Sequence, residues 1–273
     1  MTANEAERRR WNDERYAAAW PKREQLTGVV TPVLLETAKL KPGNKVLDIG
    51  SGGGGSAIAA GRAVGPKGMV VGIDLSLPLT PLAIQRAKDA RAGNVTFKVA
   101  DAQHDQIASR AFDVAMSQFG VMFFDEPVAA FTNIRQHLRD DGRLVFACWQ
   151  PANHNPWHVG TALQGLLPPA SHPAPGKSAV GPFTLGELVH TTVVLEKAGF
   201  AGVRLTPHAV VVRASADAVV DESLLGVMGI PPDRLDESRA IVASHLAKFA
   251  STQRGLYRFP IAFLIVEATN PGG

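Results

Sequence analysis

The residues of this chain that could do chemistry sit where apolar runs give way to glycines and acids. Val46-Leu47-Asp48-Ile49 leads straight into Gly50-Ser51-Gly52-Gly53-Gly54-Gly55. Glycine tolerates positive φ and has no Cβ, so a loop of this composition lets the backbone press against a ligand. Asp74 ends the next apolar run. A carboxylate there can accept hydrogen bonds from both hydroxyls of a ribose. Asp101-Ala102 closes the third run, where an adenine belongs if its ribose is at Asp74. Any one of these signals can be only a tight turn. Three at successive run ends, in this order, describe a nucleoside site. Asp48 also puts negative charge close to the turn. That suits a ligand with a cationic sulfonium and ammonium better than a pyrophosphate. Gly50, Gly52 and Gly55 nevertheless satisfy G-x-G-x-x-G, so an NAD(P)-dependent oxidoreductase is the alternative on these residues.

Alternating elements must position these groups. Strands are predicted over 45–49, 69–73, 95–99, 112–117 and 143–149. Helices are predicted over 56–64, 79–91 and 126–138, the last with Asp125 as N-cap and the Asp141-Gly142 turn after it. This alternation implies parallel pairing with right-handed crossovers, hence an α/β, doubly wound, Rossmann-like sheet. Residues 1–44 read as helices bearing Trp11, Tyr16 and Trp20 near one face, and 45–150 form the core. Residues 151–273 complete a single domain. They begin in a Pro-, Gly- and His-rich loop that extends over 150–183, a length uncommon unless functional. Thr184 with Glu187 is predicted to open a helix through a capping box, and Gly199 to end it. Two strand-like segments, 203–212 and 258–267, enclose a helical insertion over 215–253. This ending counts against a dinucleotide fold with a sixth parallel strand and a separate catalytic domain.

Several motifs resemble the class I S-adenosylmethionine-dependent methyltransferases. Val46 to Gly54 looks like their first motif, Val71-Gly72-Ile73-Asp74-Leu75-Ser76 their second and Val99-Ala100-Asp101-Ala102 their third. Phe112-Asp113-Val114, the run Ser117 to Phe124, and Leu138 through Asp141-Gly142-Arg143-Leu144 resemble the bacterial subgroup near the ubiquinone/menaquinone-biosynthesis methyltransferases. The resemblance implies a seven-stranded sheet with its last strand antiparallel, an N-terminal helical lid, and S-adenosyl-L-methionine as cofactor. It also implies roles. Gly50 and Gly52 flank the methionine part with Ser51 between them, and Asp48 helps to position the ammonium. Asp74 holds the ribose, Leu75 and Leu79 pack on the adenine, and Asp101 and the Ala102 backbone bind its edge. Ser117 and Gln118 lie beside the methyl donor. The subgroup often has arginine where Gln118 stands and methionine where Leu79 stands, so Gln118 puts charge-based substrate recognition there in doubt.

For the acceptor, the sequence offers aromatics outside the cofactor motifs. Trp11, Tyr16, Trp20, Phe119, Trp149 and Trp157 are the candidate pocket wall, and they point to a small apolar or aromatic acceptor methylated on O, C or N. Methyl transfer from a sulfonium needs a base only if the acceptor must lose a proton. His154 and His158, within Pro151 to His158, are the candidate bases. No metal is expected, because the eight histidines are scattered and Asp140-Asp141 reads as a solvated turn. An RNA or protein methyltransferase is the other alternative. It would want a basic groove or an appended domain, whereas the net charge is +3 and Arg8-Arg9-Arg10 reads as a solvated helix face. Neither nucleic acid nor a membrane is expected as a partner. The first ten residues are polar and no run approaches the ~18 apolar residues of a membrane span, so a cytoplasmic protein is predicted. Composition is silent on oligomeric state.

Overall fold

The computed structural model describes residues 5–108, 110–167 and 180–272. Part of the predicted 150–183 loop therefore lies outside the described residues. Four helices come first: α1 (Glu5–Trp11), α2 (Glu14–Ala18), α3 (Trp20–Thr27) and α4 (Val30–Ala38). The core follows as β1 (Lys45–Ile49), α5 (Gly55–Val64), β2 (Met69–Asp74), α6 (Leu79–Asp89), β3 (Val95–Val99), β4 (Phe112–Gln118), α7 (Pro127–His137) and β5 (Leu138–Trp149). The chain ends as α8 (Leu188–Lys197), β6 (Ala201–Ala214), the short helices α9 (Ala216–Val219) and α10 (Glu222–Val227), α11 (Leu235–Leu246) and β7 (Tyr257–Thr269).

All seven strands form one sheet, ordered β3-β2-β1-β4-β5-β7-β6. The pairs from β3 to β5 are parallel, and β7 runs antiparallel to both β5 and β6. The order reverses beside β1, so the β1 and β4 ends flank the crevice where open α/β sheets bind ligands. Side chains alternate across the sheet. Val46, Val70, Val114 and Met116 pack with Ala57, Ala60 and Val64 of α5 on one face. Leu47, Ile49, Val71, Ile73 and Ala115 enter the larger core with Leu34, Phe131, Ile134 and Phe146 on the other. Among the described residues no helix is long and apolar enough to cross a membrane.

Three local expectations are corrected. Strand β5 starts at Leu138, which pairs with Phe112, and the predicted Asp141-Gly142 turn is a bulge inside it. Asp141 takes φ 60° there. The Asn270 side-chain amide holds the bulge by donating to the carbonyls of Leu138 and Arg139 at 3.2 and 3.0 Å. Pro127 opens α7, so the cap position falls at Glu126 rather than Asp125. Thr184 exchanges hydrogen bonds with Gly181 in a turn, and α8 begins only at Leu188 with no side-chain cap from Glu187.

Candidate active site

The loop after β1 passes through Gly50, Gly52 and Gly54 at φ 68°, 50° and 84°. This left-handed region strains any residue with a Cβ. Gly50 is also tightly confined, since an added Cβ would lie 2.7 Å from Gly120 Cα in the loop after β4. Buried Ser117 stiffens that second loop by accepting from the Gly120 amide at 3.2 Å. The Gly50 and Ser51 amides both donate to the Ile73 carbonyl, at 2.8 and 3.0 Å, which locks the glycine loop to the end of β2.

Three carboxylates surround this framework. Asp74 accepts from the Gly52 amide at 2.7 Å and the Ser76 amide at 2.8 Å. Burial raises its pKa above the ordinary carboxylate value, and these amides oppose the rise. Asp101 is buried and accepts from the Gln103 amide at 3.0 Å and from Arg8 Nη2 at 3.2 Å. Asp48 is wholly buried behind the loop, where the Ser56 hydroxyl donates to its Oδ2 at 2.6 Å. Burial pushes its carboxyl up to about 7; Ser56 pulls it down, and the Asp74 charge raises it further. Asp48 Oδ1 has no hydrogen-bond partner among the described residues.

A cavity of about 650 Å³ opens between the strand ends and the N-terminal helices. Gly50, Ser51, Asp74, Leu75, Leu79, Asp101 and Ala102 line one part. Trp11, Tyr16 and Trp20 come in from the N-terminal helices, and Phe119, Trp149, Trp157 and His158 from the core side. The aromatic wall is continuous. Phe119 stacks on Trp149 at 4.0 Å between centroids, Trp149 meets Trp157 edge-on at 5.2 Å, and His158 meets Phe183 edge-on at 4.8 Å. Asn155 orients this wall and is completely buried. Its amide nitrogen donates to the Gln150 and Ala262 carbonyls, and its oxygen accepts from the Ala262 amide and the Trp157 indole, all within 3.0 Å.

Known proteins agree with this geometry. The family described as Methyltransferase domain matches residues 46–142, the stretch that carries the three strand-end signals. The nocamycin O-methyltransferase of Saccharothrix syringae is 26% identical over 88% of this chain and 91% of its own. The ubiquinone/menaquinone biosynthesis C-methyltransferase UbiE of Pseudomonas putida is 33% identical over 41% of this chain. The chain thus spans nearly all of the first relative, but the match covers only 44% of the second. This chain is an S-adenosylmethionine-dependent methyltransferase. Its fold matches the crystal structure of YcgJ from Bacillus subtilis with a TM-score of 0.62 at 18% identity, covering 90% of this chain and all of that one. The NAD(P)-dependent oxidoreductase reading falls with this result.

The residues present fit S-adenosyl-L-methionine, which supplies a methyl group activated on a sulfonium. Asp74 and Asp101 face the cavity from adjacent strand ends, and the Cβ-less loop lies between them and β4. Among the residues singled out from sequence, the methyltransferase gathers Gly50, Ser51, Asp74, Leu75, Leu79, Asp101, Ala102, Gln118 and all six pocket aromatics around one cavity. It leaves out four. Asp48 and Ser117 are buried beneath the loops, and Gly52 is roofed by the Trp20 ring. His154 is exposed, with Nδ1 3.0 Å from Gln150 Oε1. Gln118 reaches the cavity but its amide is engaged: it accepts from Thr31 Oγ1 at 2.7 Å and donates to the Thr27 carbonyl at 3.1 Å. Sequence reasoning missed Gly120, Asn155, Glu24 and Arg86. Gly120 had a readable signal, a glycine just beyond a strand. Glu24 and Arg86 meet from 62 residues apart, and Asn155 ties its neighbours Gln150 and Trp157 to Ala262, far along the chain.

Proposed function

We propose that this methyltransferase acts on a small, largely apolar or aromatic acceptor. The carrying observation is the aromatic wall of Phe119, Trp149 and Trp157 in the same cavity as Asp74 and Asp101. A planar acceptor can stack against such rings while the nucleoside end is held by the acids. In this reading Asp74 holds the ribose hydroxyls, Leu75 and Leu79 pack on adenine, and Asp101 with the Ala102 backbone reads its edge. Gly50 and Ser51 bring the backbone against the amino-acid tail, while Gly52, Ser117 and Asp48 support that loop from beneath or behind. The names of the two relatives support a small acceptor and leave both oxygen and carbon open as the atom methylated. The protein's task is then to align two reactants and exclude water.

His158 is the proposed base for a hydroxyl or amine acceptor. It lines the cavity, whereas His154 does not. Burial, and secondarily the charge of His245, lowers its pKa from 6.5, so the ring is neutral and able to accept a proton at physiological pH. When a hydroxyl or amine is methylated there, the bound cofactor would supply the methyl group and leave as the neutral sulfide, and His158 would take the acceptor's proton. The test is turnover of the labelled methyl donor with a panel of phenols, quinols, amines, RNA and protein. Label in small aromatic products bears the proposal out; label only in macromolecules overturns it. With a phenolic acceptor, His158→Gln is expected to lower kcat about 10²–10⁴-fold. His154→Ala should stay within about threefold, under ~1 kcal/mol. The wild-type rate should fall with acid on the acidic side of pH 6.5, the ordinary histidine value. A pH-independent rate would remove His158 from the reaction.

A further inference from the structure

The cofactor's amino-acid end carries one ammonium and one carboxylate, and a complementary charge for each would add charge-assisted bonds to those of the loop backbone. Asp48, the acid nearest the glycine loop in sequence, is sealed behind that loop. Asp74 and Asp101 each already bind two donors at the nucleoside part of the cavity. Among the described residues one acid remains at the cavity wall beside the loop, Glu24 of α3. Among the cations, Arg10 stands over the Trp11 and Phe123 rings, and Arg23 is bound to Asp221 and the Tyr16 carbonyl. Arg86 of α6 is the lining cation that touches the glycine loop, donating from Nη1 to the Gly53 carbonyl at 3.1 Å.

Glu24 and Arg86 meet each other there. Arg86 Nη1 lies 2.7 Å from Glu24 Oε2, and both side chains are a little over a quarter exposed. This single contact leaves Glu24 Oε1, and Arg86 Nε and Nη2, without hydrogen bonds among the described residues. The pair bridges an N-terminal helix, the glycine loop and α6. It also accounts for Gly53, whose backbone φ is not positive. An added Cβ there would lie 2.5 Å from Arg86 Nη1 and 2.6 Å from Trp20 Nε1. Glu24 Oε1 lies 3.4 Å from where a Gly55 Cβ would be, at the first turn of α5.

We infer that Glu24 and Arg86 form the receptor for the amino-acid end of the cofactor, Glu24 taking the ammonium and Arg86 the carboxylate. The pair is half of a four-charge square that the zwitterion completes. A guanidinium with two unused donor nitrogens suits a carboxylate. Because Glu24 belongs to an N-terminal helix, the same contact draws that helix onto the loaded site.

The inference rests on the methyltransferase reading, and two ligands separate the two. S-adenosylhomocysteine carries the amino-acid end; 5′-methylthioadenosine keeps adenine, ribose and sulfur but lacks it. Binding of each is measured by calorimetry for the wild type, Arg86→Gln and Glu24→Gln. Both variants are expected to lose tenfold or more in affinity for S-adenosylhomocysteine and less than twofold for 5′-methylthioadenosine. The second ligand also reports that the variants are folded. Equal losses on both ligands would mean a structural ion pair, and unchanged affinity for S-adenosylhomocysteine would mean no role; either overturns the inference while leaving the methyltransferase intact. A wild type that binds neither ligand overturns the cofactor reading itself.

Discussion

Asp48 and Asp74 lie on adjacent parallel strands, and burial raises both carboxyls, yet only Asp74 reaches the cavity. Their substitution should therefore read out differently. Asp74→Ala is expected to weaken S-adenosylhomocysteine binding by about 1.5–3 kcal/mol, the usual worth of hydrogen bonds to a charged group, measured by calorimetry. Asp48 should appear in stability instead. Its folded pKa of about 7 stands above the ordinary 3.8. Below 3.8 both folded and unfolded chains are protonated, and the contribution is fully present. Between 3.8 and about 7 the unfolded chain binds fewer protons than the folded one, so this contribution is withdrawn as pH rises, and it levels off above 7. Asp48→Asn cannot ionise, so it should gain on the wild type in thermal unfolding between pH 5 and pH 8; a constant difference would mean Asp48 is charged throughout. At this scale the sequence reads Asp74 and Asp101 because an acid ending an apolar run is a local pattern. It does not read Glu24 and Arg86, because nothing near either residue marks the other, and their meeting depends on how α3 lies across α6.

Elements were legible wherever local pattern and tertiary demand agree. Strands β1, β2 and β4 are apolar runs buried along most of their length, and tertiary burial on both faces requires that composition; edge strand β3 is largely exposed and is marked by its branched residues instead. The failures lie in contacts that the local pattern does not display, some to distant partners and some to near ones. The 138–142 bulge depends on Asn270 at the far end of the chain, and α8 starts late because Thr184 is used in a turn with Gly181. The segment after β5 is the clearest instance. Its Pro- and His-rich sequence reads as a loop, yet Asn155 splices it onto β7 as firmly as a strand pair. Asn155→Ala is expected to cost about 2–4 kcal/mol in denaturant unfolding, because it strands the buried Ala262 amide and the Trp157 indole. Asn155→Asp should be no better, since a carboxylate cannot donate to the two carbonyls. A loss below ~1 kcal/mol would mean that water replaces the amide readily.

For the whole molecule, the N-terminal helices are held at two sides. Toward β2, Ser76 Oγ donates to the Trp11 carbonyl at 2.7 Å, and the Asn12 side chain bonds to both Leu75 and Leu77. Toward the insertion, Arg23 pairs with Asp221 at 2.7 Å, both side chains nearly buried, and lies over the Tyr16 ring at 3.7 Å. The cavity lies beneath these helices, so a bound cofactor would be roofed by a structure pinned at both edges. The consequence is temporal. Methyl transfer within the closed assembly would outrun the unpinning needed to exchange spent cofactor for fresh. Rapid-quench measurements should then show the first equivalent of methylated product forming quickly, followed by a slower linear phase. Arg23→Gln, which loosens one edge, should speed the second phase more than the first. Linear product formation from the earliest times would place the slow step in the transfer itself.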